Sequence, residues 1–163
     1  MKKAWISAIV ILTVITLFVL NCPFNITKTF NALEISVSDN KYAINRQLTF
    51  TGQYHINIFG PDVFSGKIVV SDYEQTSNGD KMYDCEITQK DLGSLIIFEK
   101  RDSNNTLEEA NVFGTIYSKP FLKNVVIIVG EGYSNKNAIC IVANVDNRND
   151  AMYQVSKILD VEK

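Results

Sequence analysis

The sequence predicts a mainly β protein: an N-terminal transmembrane helix, then a β-sandwich or strongly curved antiparallel sheet of about eight strands with one C-terminal helix. Three observations lead there. An uncharged apolar run opens the chain, period-two alternation recurs through its middle, and the spacing turns helical near its end.

Met1-Lys2-Lys3 precedes AWISAIVILTVITLFVL, from Ala4 to Leu20, seventeen residues without charge, Gly or Pro. A rise of ~1.5 Å per residue makes this about 25 Å of helix, and Asn21, Cys22, Pro23 and Phe24 can supply the rest of the ~30 Å hydrocarbon core. Trp5 suits the opposite headgroup belt. The polar side chains of the run, Ser7, Thr13 and Thr16, can each bond back to a carbonyl of the preceding turn. A core helix in a small domain keeps a polar face, and this run has none.

Lys2 and Lys3 precede the span and only Lys28 closely follows it, so the positive-inside bias puts Met1 in the cytoplasm and the remainder outside. A cleavable leader needs small residues before the cut, where Phe18-Val19-Leu20-Asn21 stands. A lipoprotein signal would lipidate Cys22, but bulky Asn21 occupies the small-residue position. The expectation is a retained single-pass anchor, with the bilayer as partner through Ala4 to Leu20. Residues 1–22 form this anchor, 23–29 a short linker and 30–163 one extracytoplasmic β-rich domain, a size that supports a single core.

Without Lys2 and Lys3 the chain has 14 basic and 18 acidic residues, a net of −4. No basic run occurs, which argues against nucleic acid as a partner.

In the stretch of clearest periodicity, Leu48, Phe50, Tyr54, Ile56 and Ile58 share one parity, and Thr49, Thr51, Gln53, His55 and Asn57 the other, as in a half-buried strand. Gly52 predicts a bend or bulge within it. An earlier strand carries Leu33, Ile35 and Val37 inward. After the Gly60-Pro61-Asp62 turn, Phe64, Gly66, Ile68 and Val70 continue the pattern, and Ser77-Asn78-Gly79-Asp80 predicts a hairpin. Further strands are expected over 82–88, 94–100, 111–117, 125–129 and 138–143. Turn-rich segments divide them at Asp102-Ser103-Asn104-Asn105 and over 130–137. The apolar run 125–129 is expected to be buried on both faces. Finally Ala151, Val155, Ile158 and Leu159 fall at helical spacing, and Asn147 with Asp150 resembles a capping box. A helix from Asp150 to Asp160 should pack over the sheet or close one end of it, with Gln154 on its outer side.

The candidate sites each have a simpler explanation. His55, the only histidine, falls on the polar strand face and reads as a surface residue rather than a general base or metal ligand. Asn144-Val145-Asp146-Asn147-Arg148-Asn149-Asp150 lacks the Gly and distal Glu of a calcium loop, and Arg148 stands at a ligand position. Gly130-Glu131-Gly132 reads as a hairpin connection and Glu108-Glu109 as exposed charge. Asn25-Ile26-Thr27 and Asn104-Asn105-Thr106 are formal glycosylation sequons. No catalytic, cofactor-binding or metal-ligating residue is nominated, and no cofactor is implied. Cys85 and Cys140 both fall at core positions, and two separate buried thiols are favoured over a disulfide between them.

The Met1-Lys2-Lys3 anchor, Lys28-Thr29-Phe30, the Gly-centred strands Phe64-Ser65-Gly66-Lys67-Ile68 and Phe113-Gly114-Thr115-Ile116-Tyr117, and the closing polar loop and helix from Asn147 to Leu159 form a recognisable assembly. It resembles the uncharacterised small single-pass membrane-anchored proteins of Gram-positive bacteria. The resemblance implies anchorage and a small β-rich domain, and brings no catalytic residue. Two functions are expected to compete: a non-enzymatic envelope module that binds a protein or another envelope component, and an enzyme or small-ligand carrier with a dispersed site.

Overall fold

The computed structural model describes Trp5, Ile9, Ile11, Thr13 and residues 22–57, 59–77, 81–82, 85–87, 93–104, 106–130 and 137–159. The expected anchor therefore lies almost wholly outside the described residues. Its four described members are helical, and Thr13 Oγ1 donates to the Ile9 carbonyl at 2.9 Å, the back-bond expected of a threonine in an apolar helix. No helix among the described residues is long and apolar enough to cross a membrane.

The strands are β1 (Phe24–Ser36), β2 (Ala43–His55), β3 (Asp62–Val70), β4 (Lys81–Met82), β5 (Cys85–Ile87), β6 (Ser94–Arg101), β7 (Leu107–Lys119), β8 (Lys123–Val129) and β9 (Ile139–Ala143). A one-turn helix α1 (Glu74–Ser77) follows β3, and α2 (Arg148–Leu159) closes the chain. All nine strands join one antiparallel sheet in the order β4-β6-β7-β8-β9-β1-β2-β3-β5. The sheet curls into a half-barrel: β4 approaches β3 and β5 approaches β6, so its two edges turn toward each other. Of the two expected architectures, this is the strongly curved sheet.

The alternation in β2 holds. Leu48, Phe50 and Tyr54 are buried in the concave face, while Thr51 and Gln53 are exposed. Phe30, Ala32, Phe64, Ile68, Ile96, Phe98, Phe113 and Ile127 fill the same interior. Edge-to-face contacts of Phe50 with Phe30 and Phe64 link β1, β2 and β3 within it.

Gly52 is not a bulge, because the β2–β3 register is continuous through Gly52 opposite Gly66. A Cβ on Gly52 would strike the Ser65 carbonyl oxygen, and one on Gly66 that of Thr51. The two strands can come this close only without side chains. Register shifts lie instead along β7; at one of them Phe113 falls between the partners of Ile96 and Ile97 and turns into the interior.

The outer face of β1, β8 and β9 carries a second apolar layer under α2. Leu33, Ile35, Val126, Ile128, Cys140 and Val142 meet Ala151 and Val155 there. Leu33 and Ile35 are thus buried as expected, but beneath the helix rather than inside the barrel. The run 125–129 is buried on both sides for the same reason. Asn147 Oδ1 accepts from the Asp150 amide at 3.0 Å and its Nδ2 donates to Asp150 Oδ2 at 2.8 Å, which fixes the helix start.

Four expectations need correction. Residues 24–29, expected as linker, are the first half of β1 and pair with β2. The strand expected over 82–88 is split into β4 and β5, which lie at opposite edges of the sheet. β3 and β4 are not hydrogen-bonded neighbours, as the hairpin at Ser77 would require; residues 78–80 lie outside the described set, and α1 begins the connection. Gln154 is half-buried and lines the groove between α2 and β8, while Tyr153 and Lys157 are the exposed side chains of that stretch.

Val155 is fully buried and Tyr153 is 58% exposed on the same helix. Val155→Asp should therefore lower the unfolding free energy by roughly 3–5 kcal/mol, as a buried unpaired charge does, and Tyr153→Asp by about 1 kcal/mol or less. Urea denaturation of the two variants checks this; equal losses would mean that α2 does not cover the sheet.

Candidate functional site

One end of the half-barrel, here called its mouth, gathers the start of β1, the β2–β3 turn and the β7–β8 turn. The pairing of Phe24 with Tyr54 brings the first two together. Tyr54 falls on the inward parity of β2 and is 1% exposed. Its hydroxyl donates to Asp62 Oδ2 at 2.5 Å and accepts from the Phe121 amide at 2.6 Å. Asp62 Oδ1 takes the Asn57 amide at 3.0 Å, so this buried carboxylate ties the β2–β3 turn to the barrel wall. Burial and then the bond to Asp62 push the Tyr54 hydroxyl well above the ordinary tyrosine range. It stays protonated at neutral pH and acts as a fixed donor.

The β7–β8 turn is strained. Phe121 and Leu122 have φ of 62° and 54°, and Asn124 follows at 50°. Left-handed backbone at residues with a Cβ costs roughly 1–2 kcal/mol apiece and persists where the surroundings impose it. Here Tyr54 holds the Phe121 amide, and Lys28 Nζ donates to its carbonyl at 2.8 Å. The Ser118 hydroxyl lies 2.9 Å from the Lys119 carbonyl and 3.2 Å from that of Lys123, and Leu122 is buried beneath. The outcome is that the Phe121 ring stacks on Tyr54, with centroids 5.8 Å apart and planes 17° from parallel, while 47% exposed. Phe24 is tilted against Tyr54, with centroids 5.7 Å apart. Between them opens a cleft of about 370 Å³, walled by Phe24, Ile26, Tyr54 and Phe121 and edged by Asn25, Thr27 and Lys28.

A second groove, of about 310 Å³, runs between α2 and the outer face of β8. Lys119, Asn124 and Asn144 line one side, and Asp150, Tyr153, Gln154 and Lys157 the other. Asn124 and Asn144 take left-handed backbone, which Asn adopts more readily than most residues. Lys157 Nζ sits 4.0 Å from the centre of the Tyr153 ring.

A buried charge cluster closes the opposite end of the barrel. Glu34, 2% exposed, accepts from the Tyr42 hydroxyl and from Arg46 Nε at 2.7 Å. Arg46 Nη1 reaches the exposed Asp72 at 2.5 Å, and the guanidinium lies 5.4 Å from the Tyr73 ring centre. The bond to Glu34 raises the Tyr42 hydroxyl above its usual range, while burial is the first cause for Tyr73, followed by the charge of Glu34. Glu34 thus has two strong donors, and the cluster joins β1, β2 and the β3–α1 turn.

His55 is half-buried on the outer face of β2, opposite Val63, and is not drawn into the mouth. The segment from Asn144 to Asp150 is the start of α2, and among the described residues no three His, Cys, Asp or Glu side chains converge to hold a metal ion. Glu108 and Glu109 are exposed, and Glu108 makes a surface ion pair with Lys100 at 3.3 Å. Gly130 is described with φ 87°, while Glu131 and Gly132 lie outside the described residues. Asn25 and Asn104 are exposed; Asn105 is outside.

Cys85 and Cys140 are buried and not joined by a disulfide. They lie on opposite faces of the sheet, Cys85 in the interior and Cys140 under α2, where burial pushes its thiol up to about 12. The favoured pair of separate thiols is what the structure has.

Sequence reasoning missed Tyr54, Asp62 and Phe121 as a unit. The aromatic parity of β2 and the Pro61-Asp62 turn were visible, but the left-handed turn at Phe121 has no marker beyond Pro120. No family model, characterised protein or solved structure matches this chain.

Tyr54→Phe should leave Asp62 Oδ2 and the Phe121 amide without their shared partner and lower stability by roughly 1–3 kcal/mol. Denaturant titration reads this directly. A loss below about 0.5 kcal/mol, the range of an ordinary surface change, would show that the hydroxyl does not hold the turn.

Proposed function

We propose that this chain is a membrane-anchored envelope protein whose extracytoplasmic domain is a non-enzymatic binding module, with the aromatic mouth as its contact site. The observation that carries this reading is the strained turn at Phe121. Three neighbouring elements hold a costly backbone conformation, and its product is an aromatic ring displayed at the rim of an open cleft. Stored strain of this kind points to function rather than packing, since Leu122 alone supplies the buried anchor of the turn. The apolar run from Ala4 to Leu20, with Lys2 and Lys3 before it, supports anchorage and an outward-facing domain. The resemblance to small anchored proteins of Gram-positive bacteria points the same way.

A second reading, a small-ligand carrier, is favoured by the groove beside α2, where Lys119, Lys157 and Gln154 converge. The mouth is preferred because its geometry is held at an energetic cost.

Site-specific photo-cross-linking in native membranes tests the choice. A benzophenone side chain at Phe121 should capture an envelope component, and the same group at Leu107 should not. Leu107 is equally exposed, at 46%, but begins the thirteen-residue β7 that ends at the mouth. Equal capture at both positions, or none at either, would remove the mouth as the contact site.

A further inference from the structure

We infer that the occupant of the mouth is an anionic lipid surface, and that the half-barrel docks mouth-down on the outer leaflet of its own membrane. The inference rests on the anchorage proposed above and adds to it an orientation and a partner.

Three observations carry it. The first is where the chain arrives. The apolar run ends at Leu20 and β1 begins at Phe24, so at most a few residues separate the span from the mouth, and the mouth is the end of the barrel they join. A tether of that length holds this end near the headgroups.

The second is the exposure of large apolar side chains there. Phe24 is 40% exposed, Phe121 47% and Phe59 93%. Phe59 stands at the tip of the β2–β3 turn, where its amide bonds to Asn57 Oδ1 at 3.1 Å and the Asn57 amide to Asp62. The backbone at Asn57 and Phe59, the most exposed of the described phenylalanines, is therefore held by hydrogen bonds. Three phenylalanines at one end of a barrel form a surface that water disfavours and an interface accommodates.

The third is charge. Lys28 lines the cleft, and Lys119 and Lys123 are exposed register partners flanking the strained turn that carries Phe121, Lys119 also lining the groove beside α2. The carboxylate of Asp62 at the same end is buried in its bonds to Tyr54 and Asn57. Exposed aromatic rings with Lys28 at the cleft and a lysine on each side of the Phe121 turn match the acyl boundary and the phosphates of an anionic leaflet.

The test uses the full chain in vesicles of phosphatidylcholine with phosphatidylglycerol, with Trp5→Phe removing the sole native tryptophan. A single tryptophan is placed by Phe59→Trp, or by Leu107→Trp at the far end. Brominated lipids should quench the reporter at 59 and leave that at 107 unaffected, with acrylamide reaching 107 only. Lys119→Gln with Lys123→Gln leaves the folded interior untouched and should lower the docked-to-undocked ratio by roughly five-fold for each lysine removed.

Quenching that is absent or equal at 59 and 107, in protein that floats with the vesicles, overturns the docking and leaves the anchor standing. Shielding of position 59 from both acrylamide and bromine would assign the face to a protein or a second copy instead, and also overturns it. Failure to float with vesicles would remove the anchor and the docking together.

Discussion

The structure depends on one constraint: a single antiparallel sheet has to bury both faces at its centre and only one at its margins. β9 lies between β8 and β1, and the three together separate the barrel interior from the layer beneath α2. Ile127 and Ile141 face inward while Val126, Ile128, Cys140 and Val142 face the helix. An open sheet with an apolar concave face would expose it, so the sheet curls until its edges meet. Curling requires places where strands can approach closely, and Gly52 opposite Gly66 supplies one. The outer face remains apolar at the centre and needs a cover, which α2 provides. Helix, glycines and curl answer the same requirement.

Once the sheet is curled, its two ends differ. At the β1–β2 hairpin end, Glu34 meets Tyr42 and Arg46, and the chain closes over its own charge. Removing one partner of such a buried pair typically costs about 3–5 kcal/mol, so this end resists opening. At the mouth the polar groups are spent differently. Asp62, Tyr54 and Lys28 hold the backbone of two adjacent turns and leave aromatic rings outside. One end is sealed by ion pairs, the other is braced by hydrogen bonds and stays open. That asymmetry gives the domain two unlike ends, and β1 begins at the open one.

Local pattern made much of the fold legible and little of the site. Period two in Leu48, Phe50 and Tyr54 identified β2 because one face of that strand is dry and the other wet. Asn147 and Asp150 marked the start of α2 because capping is a local interaction across three residues. The sense in which Leu33 and Ile35 are buried was not legible, since a two-sided core gives both parities of a strand apolar residues. The split of residues 82–88 between two sheet edges was hidden for a related reason: short strands have too few residues to show a period. The site failed on distance in sequence. Tyr54 and Phe121 are 67 residues apart, and nothing in either neighbourhood announces the other. The aromatic rim was visible only as scattered phenylalanines until the register placed them at one end.

The central claim is that β8, β9 and β1 form a slab buried on both faces, from which the mouth is held. Native-state hydrogen exchange, followed amide by amide, tests it most directly. The amides of Ile139–Ala143 and of their β1 and β8 partners should exchange only through global unfolding, with one common free energy of opening. Those of β6 around Leu95 and Ile97 should open at lower cost, because Leu95 is half exposed and Ile97 only partly buried, whereas the β9 side chains are covered on both faces. If the β9 amides instead exchange as readily as those of β6, the slab does not exist and the account of the fold is wrong.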